Sequence, residues 1–491
     1  MHILHYMHIW IIVNIMCGET MRKREVTLGR FDIVYACFFI LLIALCVFQK
    51  ANYMFSICII VYAAVLFFVL KNPKQHIVLC AFLISFFTFL LASPVATLLL
   101  GSTFNVHFLD DAKLHFYTTM LLSVSFVWVG YISFSRMRFK LPIKNTTTSM
   151  RLALRRVSRI VFVITYSMKC IQYIEIGYYV LRFGYMYYYT GYRTAIPLVF
   201  EKISDLYVVA ISIFLATNPS KRECKPIMLF FLIGGILSII TGKRYEFVYV
   251  IMLCIAYLIL RNNETDDGKQ GNTWISKRRI KQIIILSPLI IIFLMYVGST
   301  RSKIDFEYTS LWDMLLNFMV DIGNSGKVIM RGYQFKEIIP KDKAYSFGSL
   351  IEYFKYSFFS ELLFGKTAYN ARSYEYVTSG HSFAYVITYY FSRTDFFSGH
   401  GQGSSFIAEL YADCGYWGVI LGSFALGVFV RHFYSISGRS VLNDAYTYFL
   451  FRPLLLMPRD TYCLPLTYIL NFKYIAAFFM IYLISHYVRR E

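Results

Sequence analysis

A short turn, Thr241-Gly242-Lys243-Arg244, sets two cations side by side between two long apolar runs. A third cation, Arg301, follows the next apolar run at once, in Gly298-Ser299-Thr300-Arg301. Such a group can grip phosphate oxygens, the guanidiniums through their two-pronged fork. The same residues can also snorkel to lipid phosphate. Farther on, Gly399-His400-Gly401-Gln402-Gly403-Ser404-Ser405 leads into a late apolar run carrying Glu409 and Asp413. At i and i+4 these carboxylates share one helix face. A carboxylate in a membrane is costly, so each is either a functional group or the buried partner of a cation on another helix. His381 and His400 are lone loop histidines that can move a proton near neutral pH. Arg459 and Asp460 form a further charged turn or a local ion pair. Together these residue types suit displacement of a phosphate-bearing leaving group by a hydroxyl. Arg244, Lys243 and Arg301 would stabilise the departing charge, and Glu409, Asp413 or, third, His400 would take the hydroxyl proton.

These residues must be held by membrane-spanning helices. Of 491 residues, 57% are hydrophobic and only 16% are charged. That balance excludes a soluble enzyme, a nucleic-acid-binding domain, a coiled coil and a disordered scaffold. The net charge of +21 is gathered in clusters between apolar runs, the pattern of a polytopic membrane protein. The fold class expected is therefore all-α, with about twelve spans of roughly 20 residues each. They fall at 31–48, 54–70, 77–100, 116–135, 157–181, 197–216, 226–241, 245–260, 282–298, 404–430, 443–457 and 463–488. The run 443–457 is short and carries Arg452 and Pro453, so a broken or re-entrant helix is expected there. The basic cluster from Arg136 to Arg159 marks the cytoplasmic side and places both termini there. Residues 299–403 then form one large extracytoplasmic loop, rich in tyrosine, with short interfacial helices at 311–322 and 350–364. It divides the chain into helices 1–9 (1–298), the loop (299–403) and helices 10–12 (404–491).

The remaining signals are weaker. Six of the cysteines lie inside apolar runs and none has metal-ligand spacing. The first twenty residues make a poor signal peptide. Translation is expected to start either at Met21, just before Arg22-Lys23-Arg24, or at Met1 with the leading segment in the membrane interface. Lys169, Gln172 and Glu175, and Glu201, Lys202 and Asp205, are polar groups within spans, and Lys202 is expected to pair with a neighbouring acid. Gly415, Gly418, Gly422 and Gly427 are expected to allow close helix packing. The tyrosines from Tyr178 to Tyr192 read as an interfacial belt or a platform for sugar rings.

The long loop, the Gly242-Lys243-Arg244 turn and the Gly401-x-Gly403-Ser404-Ser405-x-x-x-Glu409 entry resemble the Wzy-type O-antigen and oligosaccharide repeat-unit polymerases. In motif the resemblance covers residues 241–247, 399–418 and 459–460. The paired Arg-x10-Gly loop motifs of some members are absent: Arg193 and Ser404 stand eleven places after Arg182 and Arg393. The resemblance implies a glycosyltransferase on the outer face of the bacterial inner membrane. It implies repeat units carried on undecaprenyl pyrophosphate, no metal, cofactor or nucleotide sugar, and a chain-length regulator as partner besides membrane lipid. Nucleic acid is not expected. Alternatives are a ligase using the same lipid carrier and a flippase or secondary transporter. The transporter is disfavoured by the absence of related halves.

Overall fold

The computed structural model describes residues 52–102, 107–133, 146–184, 192–242, 244–262, 310–356, 372–436 and 440–489, with a few isolated positions between them. Among the described residues all regular structure is helical. Helix satisfies every backbone polar group within its own segment, which lipid demands.

Helix α1 (Tyr53–Lys71) is capped by Asn52, whose side chain accepts the N–H of Met54 at 2.9 Å. Helix α2 (Ile77–Phe86), a π turn (Phe87–Leu91) and α3 (Ala92–Leu99) run on as one span. Helix α4 (Asp110–Ser133) opens with Asp110 and Asp111 at its positive dipole end. Helix α5 (Thr148–Phe183) is followed by α6 (Leu198–Ser204), α7 (Tyr207–Ala216), α8 (Lys221–Ile240) and α9 (Arg244–Arg261). Ser220 and Glu223 form a capping box on α8. The last part contains α16 (Phe406–Ile436), α17 (Val441–Leu456), α18 (Leu464–Leu470) and α19 (Phe472–Val488). Between them, residues 310–397 hold the short helices α10 (Leu311–Ile322), α11 (Gly326–Gln334), α12 (Gly348–Tyr356), α13 (Tyr374–Ser379), α14 (Phe383–Phe391) and α15 (Arg393–Phe397).

Six segments among the described residues are long and apolar enough to cross a membrane, and α18 with α19, bent by 48°, could form a seventh. The twelve expected spans are met to that extent. Two of them, 31–48 and 282–298, lie almost wholly outside the described residues. Three more are helical but fall outside the six. The run 197–216 breaks into α6 and α7. Helix α9 forms as expected but carries Arg244, Glu246 and Arg261 at its ends. Helix α17 has 16 residues, about 24 Å at 1.5 Å per residue, short of a ~30 Å hydrocarbon core. It ends through Pro453 into a 3-10 turn, Met457–Arg459.

The break that matters most lies in α16. Cys414 (φ −138°) and Gly415 (φ 59°, ψ −146°) leave helical geometry. In a straight helix Leu410 and Gly418 would be about 12 Å apart along the axis. Here a Cβ on Gly418 would lie 2.1 Å from the Leu410 carbonyl oxygen, and one on Gly422 would lie 2.4 Å from Leu410 Cδ2. The short first arm, 406–413, is thus turned against the second, 416–436. Of the four glycines expected to serve close packing, Gly418, Gly422 and Gly427 do so. Gly415 does not, because nothing among the described residues stands within 4 Å of its Cβ position and its positive φ makes the break itself.

The second arm of α16 lies along α4. Cβ atoms on Gly130 and Gly427 would each meet a backbone carbonyl oxygen at 2.1 Å, and Ser423 Oγ donates to Ser123 Oγ at 3.1 Å. Small residues let two backbones approach where lipid gives no hydrophobic drive between helices. Gly323, after α10, likewise brings the 310–334 segment onto Ser93 of α3, where its Cβ would lie 2.4 Å from the Ser93 nitrogen.

Asp205, one of the acids beside Lys202, pairs across helices and not with that sequence neighbour. Asp205 bridges Lys169 of α5 at 2.8 Å and Lys473 of α19 at 2.9 Å. Glu175 accepts the Thr194 hydroxyl at 3.0 Å and the N–H of Ala195 at 2.7 Å.

Candidate functional site

Asp413 ends the first arm of α16. Its Oδ1 accepts the N–H of Tyr345 at 2.8 Å, and its Oδ2 accepts the N–H and the hydroxyl of Ser346 at 2.8 and 2.5 Å. It also lines a cavity of about 220 Å³ at the break, with Tyr411, Ala412 and Gly415 of α16 and with Gly332, Lys336, Glu337 and Lys341 of the 310–397 segment. The helix break and this segment therefore share one polar opening.

Glu409 lies one turn deeper, fully buried. Its Oε1 accepts the Ser404 hydroxyl at 2.7 Å, and its Oε2 accepts the N–H of Tyr462 at 2.8 Å. This ties α16 to the turn between α17 and α18. Tyr462 completes the tie by donating its hydroxyl to the Gly422 carbonyl at 2.8 Å. In the same turn Arg459 sits 5.1 Å over the ring of Phe89, in the π turn, and Asp460 Oδ1 accepts the N–H of Thr461 at 2.8 Å. Burial raises the Asp460 carboxyl above the ordinary aspartate value, while the Thr461 N–H and the Arg459 charge pull it back.

The turn expected to carry the main cations is tight, with Gly242 at φ 78°. Lys243, the Arg244 side chain and Arg301 lie outside the described residues. The helix that Arg244 begins is nonetheless anchored. Glu246, in its first turn and 3% exposed, pairs with Arg452 of α17 and accepts the Tyr207 hydroxyl at 3.1 Å. Arg452 also donates to the Tyr468 hydroxyl at 3.1 Å. Helix α17 continues directly to Arg459, so α9, α17, the 459–462 turn and α16 form one connected frame. His400 is exposed. Its N–H donates to the Asp395 carbonyl at 2.9 Å, and its own carbonyl accepts from Arg372 at 3.4 Å.

The frame thus gathers Glu409, Arg459 and Asp460 in one place and sets Asp413 on the cavity beside it. His400 stands on the approach to α16. Sequence reasoning missed Lys336, which lines the same opening, and His115 and Tyr333, which pack behind its Tyr411 wall. An ionisable ring inside an apolar span was a usable signal for His115. Nothing local marks Tyr333 or Lys336, whose relation to α16 exists only in three dimensions. The described residues hold no group of His, Cys, Asp and Glu fit for a metal ion.

No curated protein and no solved structure matches this chain. The family model described as O-antigen polysaccharide polymerase Wzy matches residues 32–491, nearly the whole chain, and the chain belongs to that family.

Proposed function

We propose that the cavity at the break of α16 is where this chain joins oligosaccharide repeat units, each carried on undecaprenyl pyrophosphate. Polymerisation of O-antigen repeat units is the activity of the family. The donor, the side of the membrane and the residue roles are the proposal's own. The growing chain is the donor. A sugar hydroxyl of the next lipid-linked unit attacks its anomeric carbon, the new C–O bond forms, and the bond to the pyrophosphate breaks with its electron pair. Asp413 takes the hydroxyl proton, with Glu409 as the deeper alternative. Arg244, Lys243 and Arg301 hold the leaving diphosphate, helped by the positive end of α9. Arg459, Asp460 and His400 contact the substrate around them. The polyprenyl pyrophosphate is already activated, so the displacement needs no cofactor. The positive-inside pattern favours a bacterial inner-membrane protein with both termini cytoplasmic and the 299–403 loop outside. A chain-length regulator would meet it there.

The observation that carries the reading is the meeting of Asp413 with Lys336 and Lys341 on a cavity opened by a broken membrane helix, in a chain of this family. Irregular backbone at membrane depth persists where it lines a cavity. The test is a gel of surface polysaccharide from a deletion strain. Collapse of the ladder to a single repeat on the core supports the reading. A core with no repeat would point to a ligase, and an unchanged ladder would defeat it.

A further inference from the structure

We infer that Tyr411 on the wall of this cavity, with His115, Tyr333 and Tyr416 packed around it, forms a sugar-binding subsite taking a pyranose ring of the polysaccharide. The inference rests on the reading of the cavity as the site of polymerisation and adds the residues that hold the sugar.

His115 belongs to α4 and is 2% exposed. Its ring stacks on Tyr333 of α11 with centroids 4.4 Å apart and meets Tyr411 edge-on at 4.2 Å. Nδ1 lies 3.0 Å from the Tyr416 hydroxyl. Nε2 is buried and has no hydrogen-bond partner among the described residues. A neutral imidazole has one donor and one acceptor nitrogen. Whichever tautomer faces Tyr416, the other nitrogen is left wanting a partner, which is costly in a buried place. The histidine is therefore built to receive something.

The surroundings indicate what. Tyr411 is itself a wall of the cavity, beside Gly332 and Lys336. Tyr416 stands just past the break, 5.2 Å from Tyr411, and Lys336 lies 4.2 Å over the Tyr333 ring. Three phenol rings come from two elements, the 310–397 segment and both arms of α16. They offer apolar faces beside hydroxyl, ammonium and carboxylate groups. A pyranose has the complementary surface, with C–H faces that pack on aromatic rings and a rim of hydroxyls that donate and accept. A nucleobase would also stack, but the cavity's acids, Glu337 and Asp413, suit a ligand whose hydroxyls can donate. The arrangement also places the sugar beside Asp413, where the proposed proton transfer takes place.

The experiment uses the full chain in detergent and a lipid-free oligosaccharide of a few repeats, released by mild acid from the producing strain's own polysaccharide. Calorimetric titration should show binding to the wild type. His115→Phe keeps the ring but removes both nitrogens, and Tyr411→Leu removes the stacking face. Each should weaken binding about tenfold, near the loss of one well-made hydrogen bond or ring contact. Tyr411→Phe, which keeps the face, should bind as the wild type does. If His115→Phe fails to give a monodisperse protein, the half-buried Tyr411 pair decides the matter alone. A wild type that does not bind, or an unaltered affinity in Tyr411→Leu, overturns the inference. The deletion ladder remains a separate check, because a polymerase that held its sugar elsewhere would still lose its ladder.

Discussion

The Asp413 carboxylate grips Ser346 twice, through its N–H at 2.8 Å and its hydroxyl at 2.5 Å, and so fastens the 310–397 segment to the arm of α16 that ends at the break. The same residue lines the cavity, which gives it two roles that mutation can tell apart. Asp413→Asn keeps an acceptor for Tyr345 but cannot take a proton, and should abolish chain growth at normal protein levels. Ser346→Ala loses the hydroxyl bond alone, worth about 1.5–3 kcal/mol to a charged acceptor, and should leave chains growing while limited proteolysis of 344–356 speeds up. Polysaccharide gels and immunoblots of complemented deletion strains read both outcomes. A full ladder from Asp413→Asn would remove it as the base.

Gly415→Ala tests the break itself. At φ 59° and ψ −146° an L side chain costs roughly 1–3 kcal/mol of backbone strain. Nothing among the described residues crowds its Cβ position, so the penalty falls on the turn. The expected result is a small fall in the melting temperature of the purified protein and a large fall in chain growth. Gly427→Ala should do the reverse, since its Cβ would meet the Val127 carbonyl oxygen at 2.1 Å and push α4 from α16. Equal effects on stability from the two would mean that the break is not poised against the cavity.

How much of this was legible in the sequence depends on the range of the interaction. Spans such as Tyr53–Lys71 and Asp110–Ser133 follow from apolar run length, and helix 311–322 from its amphipathic pattern. Glu409 and Asp413 stood out because charge in an apolar run is rare. Their partners did not. Tyr462 is 53 residues from Glu409, and Ser346 is 67 from Asp413. The break at Gly415 was hidden because a glycine in a membrane helix usually means close packing, and three of its neighbours obey that rule. Lys202 was expected to pair with a neighbouring acid, yet Asp205, three residues on, bridges Lys169 and Lys473, brought together by helix packing that no local spacing encodes.

His381 gives a pH dependence with a definite sign. Its Nδ1 accepts the N–H of Ala344 at 3.2 Å, and its own N–H donates to Glu352 at 2.6 Å. Burial, then the nearby Lys355, lowers its pKa, with Lys343 acting the same way and Glu352 and Asp342 opposing. The folded ring resists a proton that the unfolded chain accepts near pH 6.5. This part of the protein should therefore be firmest above that pH and loosen as the pH falls from about 6.5 towards the lowered folded value. Hydrogen exchange of 343–356 at pH 7.5 and 5.5 should show faster exchange at the acid end, and His381→Asn should flatten the difference. Exchange that slows on acidification would contradict the sign.

Glu246 and Arg452 are the pair on which the placing of α9 depends. Both are removed from solvent, and Tyr207 and Tyr468 take up further bonds on them. Removing one partner leaves an unpaired charge in a dry site, at a cost of about 3–5 kcal/mol. Glu246→Gln and Arg452→Met should each lower the yield of monodisperse protein. The double change Glu246→Leu with Arg452→Met should recover much of it, because well-packed apolar groups can replace a buried pair at little cost. Chain growth should recover less than stability does. Tyr207 and Tyr468 would lose their partners, and the end of α9 that presents Arg244 would lose its fixed relation to the 459–462 turn. Full activity in the double variant would show that the pair serves stability alone.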